Sequence, residues 1–237
     1  MNEMIGLFDS GMGGTTILNE LKKILPYEDY IYYADSKNNP YGELSEERLF
    51  EITEHIVDYL LKRRVKIIVI ACNTATTRCI NHLREAYPGV TFVGTEPAIK
   101  PACEAGYKNI LVMATPGTCK SDRTKWLVDT YKKEDQNIYL VPCYGLANAI
   151  EYNEFDIQDT IVREIAEVYK DKNIDCIVLG CTHYPLIKDL ISGVFGDIPI
   201  IDGSLGVARR VKSLLEETNK ISNNGTGKLI MINSNEQ

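Results

Sequence analysis

No run of about eighteen apolar residues exists in this 237-residue chain, so a membrane-spanning helix is not expected. No C-x-x-C pair occurs among its seven cysteines, Cys72, Cys79, Cys103, Cys119, Cys143, Cys176 and Cys181. Their number is odd and no secretion signal precedes them, which argues against a disulfide framework. A structural zinc site is disfavoured too, because its paired-ligand spacing is missing; Cys181 and His183 alone supply only two ligands. Positive charge is the scarcer sign: the net charge of −7 argues against an electrostatic grip on nucleic acid or anionic lipid. The glycine-rich stretch DSGMGG lacks the third glycine of a dinucleotide fingerprint, and no Gly-Lys-Ser/Thr follows it to make a P-loop. The N-terminal MNEMIGLFDSG lacks a basic region followed by an apolar one, and a cytoplasmic location is expected.

What is present is alternation. Strands are predicted at 4–8, 29–35, 65–71, 90–94, 109–114, 138–142, 174–180 and 198–202, with a short one in KLIMIN near the end. Helices are predicted between them, at 13–25, from Ser45 as N-cap, at roughly 75–87, 97–106, 121–133, 146–152 and 157–170, after Pro185, and at 205–217. VKIIVIA is a continuous β-branched run, the mark of a strand buried on both faces. The pattern predicts an α/β fold with mostly parallel sheets covered by helices.

The chain also echoes itself. IIVIACNT and CIVLGCTH share one design: a buried strand, a small residue, then a cysteine followed by a polar pair. IGLFDSG and ILVMATPG stand at nearly the same offset, with Asp9 matching Thr115. Two similar α/β units are therefore expected, with Cys72 and Cys181 at the carboxyl ends of their strands, where open α/β sheets bind ligands.

Packing accounts for Cys79, Cys103 and Cys176, whereas Cys119 and Cys143 lie near loops and stay open. Cys72, followed by Asn73-Thr74, and Cys181, followed by Thr182-His183, carry hydrogen-bonding neighbours. Two thiols acting on opposite faces of a flat intermediate suit inversion of a carbon that bears a proton. One thiolate removes that proton and the other thiol delivers one from behind, with thiol reference pKa values of about 8.5 giving access to both forms. His183 is placed to relay the Cys181 proton; His55 and His82 sit in helical patterns and read as solvated side chains. Asp9 reads either as a carboxylate assisting Cys72 or as a turn residue. Glu151, by itself, reads as surface charge. Backbone N–H groups of DSGMGG are candidates to cradle an anion, a carboxylate for choice, with Ser10, Asn73, Thr74 and Thr182 as neutral donors. Pro40-Tyr41-Gly42 is an ordinary turn or a loop closing over the site. No lysine stands in these motifs, against a pyridoxal-phosphate Schiff base.

DSGMGG, NNPYGELS, VIACNTAT, GTEPAIKPA and VLGCTHYPLI, in this order, resemble the glutamate racemases of the Asp/Glu racemase superfamily. The resemblance covers nearly the whole chain. It implies a cofactor-independent enzyme, without metal, interconverting L- and D-glutamate for peptidoglycan. It implies two similar α/β domains, 1–96 with about 208–237 and 97–207, with the active site in the cleft between them. Cys72 then acts on D-glutamate and Cys181 on L-glutamate, assisted by Asp9 and by His183 with Glu151. Asp9, Ser10, Pro40, Tyr41, Gly42, Asn73, Thr74, Thr118, Thr182 and His183 fall on substrate-contact positions. A homodimer is the family's habit. The chain lacks the N-terminal extension that goes with activation by a cell-wall precursor in some relatives, so no such control is expected. A racemase for aspartate or another amino acid, or an inactive amino-acid sensor or partner-binding protein, are the alternatives.

Overall fold

The structure, a computed structural model, describes residues 3–236. Among them every strand joins one of two sheets, and every pairing in both is parallel. The chain separates into two units: the first runs to Thr95 and resumes at Ser204, and the second is Glu96–Gly203.

The first unit contains β1 (Met4–Asp9), α1 (Thr15–Ile24), β2 (Tyr30–Ala34), α2 (Glu46–Leu61), β3 (Val65–Ile70), α3 (Asn73–Ala86) and β4 (Phe92–Gly94). The second contains α4 (Ile99–Glu104), β5 (Asn109–Ala114), α5 (Pro116–Lys120), α6 (Asp122–Tyr131), β6 (Asn137–Pro142), α7 (Leu146–Glu151), α8 (Phe155–Tyr169), β7 (Cys176–Gly180), α9 (Lys188–Phe195) and β8 (Ile200–Asp202). The chain then returns to the first unit as α10 (Ser204–Glu217) and β9 (Leu229–Asn233).

Strand order in the first sheet is β4-β3-β1-β2-β9, and in the second β6-β5-β7-β8. Read in the opposite sense, the second order places β8, β7, β5 and β6 where the first has β4, β3, β1 and β2. The echo in the sequence is thus an echo in topology, with β9 as the one addition. Each sheet has its switch point, where consecutive chain connections leave in opposite directions, between β1 and β3 or between β5 and β7. Open α/β sheets bind ligands at the carboxyl ends beside such a point.

Side chains alternate between two apolar layers in each unit, as the two-residue strand period requires. In β3, Ile67 and Val69 join one cluster with Ile17, Leu18 and Leu21 of α1 and Val207, Val211 and Leu215 of α10. Ile68 and Ile70 join the other, with Leu49, Ile52 and Ile56 of α2. In the second unit, Leu111, Met113, Ile177 and Leu179 share one layer, and Ile110, Val112 and Val178 the other. Each such buried aliphatic side chain contributes about 1.5–3 kcal/mol. That burial on both faces explains why the central strands read as unbroken apolar runs.

At the amino ends of the strands a buried ion pair fastens the returning segment. Lys66 Nζ lies 2.7 Å from Glu28 Oε2, both side chains almost fully enclosed. Lys66 also donates to the Lys220 carbonyl at 2.6 Å, and Glu28 Oε1 accepts from the Ser222 amide at 2.8 Å. The chain joining α10 to β9 is therefore held on the side of the sheet away from the cysteines.

The helix expected at 121–133 is found as α6, and the short α5 that precedes it was not expected. Thr115 caps α5 by accepting from the Thr118 amide, with Pro116 in the first turn; Ser121 ends α5 and caps α6 by accepting from Thr124.

Candidate active site

In the first unit the site begins where β1 stops. The fully buried Asp9 carboxylate accepts from the amides of Ser10 at 2.8 Å and Gly14 at 2.6 Å, closing DSGMGG into a tight loop. Tyr32 pins the same loop from below, its hydroxyl donating to the Gly11 carbonyl at 2.8 Å. Glycine is required at position 14: a Cβ there would stand 2.8 Å from both the Ala71 Cβ and the Tyr32 hydroxyl. The loop thus packs directly on the strand end that carries Cys72. Two amides of the expected anion cradle, those of Ser10 and Gly14, are occupied by the chain's own carboxylate. The turn-residue reading of Asp9 holds, and this residue shapes the loop beside the thiol.

Cys72 follows β3 and caps α3. Its Sγ accepts from the Ala75 amide at 3.5 Å and donates to Ser10 Oγ at 3.9 Å. Asn73 and Thr74 open the helix, both buried. The Asn73 side-chain carbonyl has no hydrogen-bond partner among the described residues. A buried acceptor left open costs stability unless a ligand N–H fills it. Beside the donor expected of it, Asn73 therefore also offers an acceptor.

Pro40, Tyr41 and Gly42 lie on the loop between β2 and α2. Tyr41 is buried and donates to Asp35 Oδ2 at 2.8 Å. Burial, and then the neighbouring Asp35, pushes its phenol well above the usual range; Cys72 and Asp9 add to the push, which places all four groups in one neighbourhood. Asp35 was not singled out in the sequence. Its signal was available: like Asp9, it is a carboxylate at the carboxyl end of a central strand. Gly42 is exposed, with open space around it.

In the second unit Cys181 directly follows β7. Its Sγ lies 3.8 Å from His183 Nδ1, and His183 Nε2 lies 2.6 Å from Glu151 Oε2. Both side chains of the latter pair are buried, at 2% and 7% exposure, so the surface-charge reading of Glu151 is wrong. A carboxylate only accepts, so Nε2 carries the hydrogen. In the neutral ring Nδ1 is then left as an acceptor facing the thiol, which is the orientation a proton relay needs. Thr182 is buried beside them. Thr118 sits at the carboxyl end of the neighbouring β5, fully buried, accepting from Thr115 Oγ1 at 2.9 Å.

The other five thiols differ in setting. Cys79, Cys103 and Cys176 lie in the apolar layers. Burial pushes Cys79 and Cys176 up to about 12 and raises Cys103. Cys143 is likewise pushed up to about 12 and Cys119 to about 11, mainly by burial, so both are held as neutral thiols. His82 is not a solvated side chain. It stacks on Phe50 with ring centroids 4.0 Å apart and pairs with Glu54 at 2.5 Å. His55 is exposed, as expected. Among the described residues no group of three or more His, Cys, Asp or Glu is placed to hold a metal ion. No described helix is long and apolar enough to cross a membrane.

Residues 20–210 match the family model described as Asp/Glu/Hydantoin racemase. The chain is 42% identical over 224 residues to a glutamate racemase of Clostridium perfringens, covering 92% of this chain and 85% of the relative. Among solved structures it is similar to Escherichia coli glutamate racemase in complex with L-glutamate and the activator UDP-MurNAc-ala. That likeness has a TM-score of 0.87 at 29% identity and covers 98% of this chain and 89% of the other. Glutamate racemase from Francisella tularensis in complex with D-glutamate matches with a TM-score of 0.83 at 30% identity, covering 98% and 88%.

Proposed function

This chain belongs to the Asp/Glu/Hydantoin racemase family and is an amino-acid racemase, and on that premise we propose that it interconverts L- and D-glutamate by two-base proton transfer between Cys72 and Cys181. One observation carries the mechanism: the two thiols sit at equivalent places, beside the switch point of each sheet, yet with different partners. A repeated thiol argues for two equivalent jobs. Unlike partners argue for two opposite directions.

In the D-to-L direction the Cys72 thiolate takes the Cα proton, and the C–H electron pair passes into a planar carbanion conjugated with the substrate carboxylate. The Cys181 thiol then gives its proton to the opposite face. Cys72 ends as thiol and Cys181 as thiolate, the state that runs the reverse reaction. His183, oriented by Glu151, stabilises and exchanges the Cys181 proton. Ser10, Thr74, Thr118 and Thr182 supply neutral polar groups, and the open Asn73 carbonyl suits the substrate ammonium. Pro40, Tyr41 and Gly42 belong to the loop that meets the substrate. The reading requires both thiols to reach one Cα in a space closed to water. D-glutamate production for peptidoglycan, a cytoplasmic location and a homodimer go with this reading.

The test is D/L interconversion across a panel of amino acids. Glutamate is expected to turn over, and aspartate at least about tenfold more slowly, because the site's polar groups are left unpaired by a shorter side chain. Faster turnover of aspartate or another amino acid would replace the substrate assignment. Binding of glutamate without any interconversion would favour a sensor.

A further inference from the structure

We propose that Arg78 is the positioning residue that clamps the 40–44 loop to the helix beginning at Cys72, and thereby sets the affinity for the amino-acid substrate; this rests on the reading that the loop meets the substrate. Arg78 lies on α3, about one and a half turns beyond Cys72. Its guanidinium donates through Nη1 to the Tyr41 carbonyl at 3.2 Å and through Nη2 to the Leu44 carbonyl at 2.9 Å. The side chain is half-buried, and Arg78 takes part in no ion pair among the described residues. Its planar fork is therefore committed to two loop carbonyls rather than to a carboxylate.

The loop needs such an anchor. Tyr41–Glu43 is a single 3-10 turn, and its own hydrogen bonds are long, 3.3 Å from the Glu43 amide to the Pro40 carbonyl and 3.4 Å from Leu44 to Tyr41. One such turn does not sustain itself in water. Asp35 holds the Tyr41 side chain, but the backbone that would present Pro40 and Gly42 is held by Arg78. One end of α3 is capped by the Cys72 sulfur and the next turns carry the clamp, so loop and thiol share one rigid element. Without the clamp the loop would have to be ordered by the substrate itself, and that ordering cost would weaken binding of both enantiomers while leaving proton transfer intact.

The experiment is kinetics with both enantiomers of glutamate on Arg78→Ala and Arg78→Lys, together with amide hydrogen exchange over residues 41–45. For Arg78→Ala the expected result is a KM raised about tenfold for each enantiomer with kcat within about twofold, the size expected for lost hydrogen bonds to a charged donor. Arg78→Lys should fall between, because a single ammonium cannot reproduce the fork. Exchange over 41–45 should quicken about tenfold in Arg78→Ala, a readout independent of which amino acid the protein takes. Failure of wild-type protein to turn over glutamate would count against the substrate reading, while the exchange result still judges the clamp. Wild-type KM in either variant, a fall in kcat alone, or unchanged exchange overturns the proposal.

Discussion

Replacing Cys72 with serine is expected to lower kcat/KM for glutamate racemisation by on the order of 10³-fold, equally in both directions, with the fold intact. The fold survives because the thiol's structural role is to cap α3, accepting from the Ala75 amide, and serine is among the better N-cap residues. Serine also keeps a partner for Ser10 Oγ. What it lacks is access to the deprotonated form near neutrality, which the proposed base requires. Equality of the two directions is a thermodynamic necessity: enantiomers have equal free energy, so kcat/KM must fall by one factor both ways. Racemisation rates from each enantiomer, with glutamate affinity measured by calorimetry, check this. Full turnover by the serine variant would end the mechanism, whereas lost turnover with retained binding is the expected outcome.

Glu151→Gln is expected to lower kcat/KM by about 10- to 100-fold, again without loss of fold. The change replaces the 2.6 Å contact of a buried carboxylate with His183 by a neutral one of the same size. A hydrogen bond to a charged group contributes about 1.5–3 kcal/mol, which is that factor in rate when the charge develops during reaction. The tautomer is the second part of the effect. An amide can turn its NH₂ toward Nε2, which places the ring hydrogen on Nδ1 and removes the acceptor that faces Cys181. Glu151→Asp keeps the charge on a shorter arm and should recover part of the loss. The readout is the pH profile of kcat/KM for the three forms. An unchanged profile and rate in Glu151→Gln would mean that the His183–Glu151 pair does no more than fill space.

These two residues also mark what was legible in the sequence. Cys72 was legible because everything about its place is local: an apolar run, a small residue, a thiol, a polar pair. The same is true of Cys181, and the repetition of that pattern carried the two-sheet topology with it. Glu151 was legible only through family resemblance, because its partner His183 is far along the chain and helical spacing speaks only of neighbours. Asp35 and Arg78 were missed for the same reason, since the groups they bond are brought to them by loop 40–44 rather than by their own elements. The glycine-rich loop was seen, but that two of its amides, those of Ser10 and Gly14, would be taken by Asp9 follows from the loop's closure, which composition does not describe. The short helix α5 was missed although it had a visible signal, threonine then proline at a helix start.

The central claim, two bases of opposite hand, is tested most directly by racemising L-glutamate in heavy water and reading hydrogen isotopes at Cα in product and remaining substrate at early times. The account expects every D-glutamate molecule formed to carry solvent deuterium and the unreacted L-glutamate to carry almost none, because the base that removes a proton is not the acid that supplies one. Product that retains the substrate's own hydrogen, or L-glutamate that gains deuterium as fast as it inverts, would require a single base serving both faces and would contradict it.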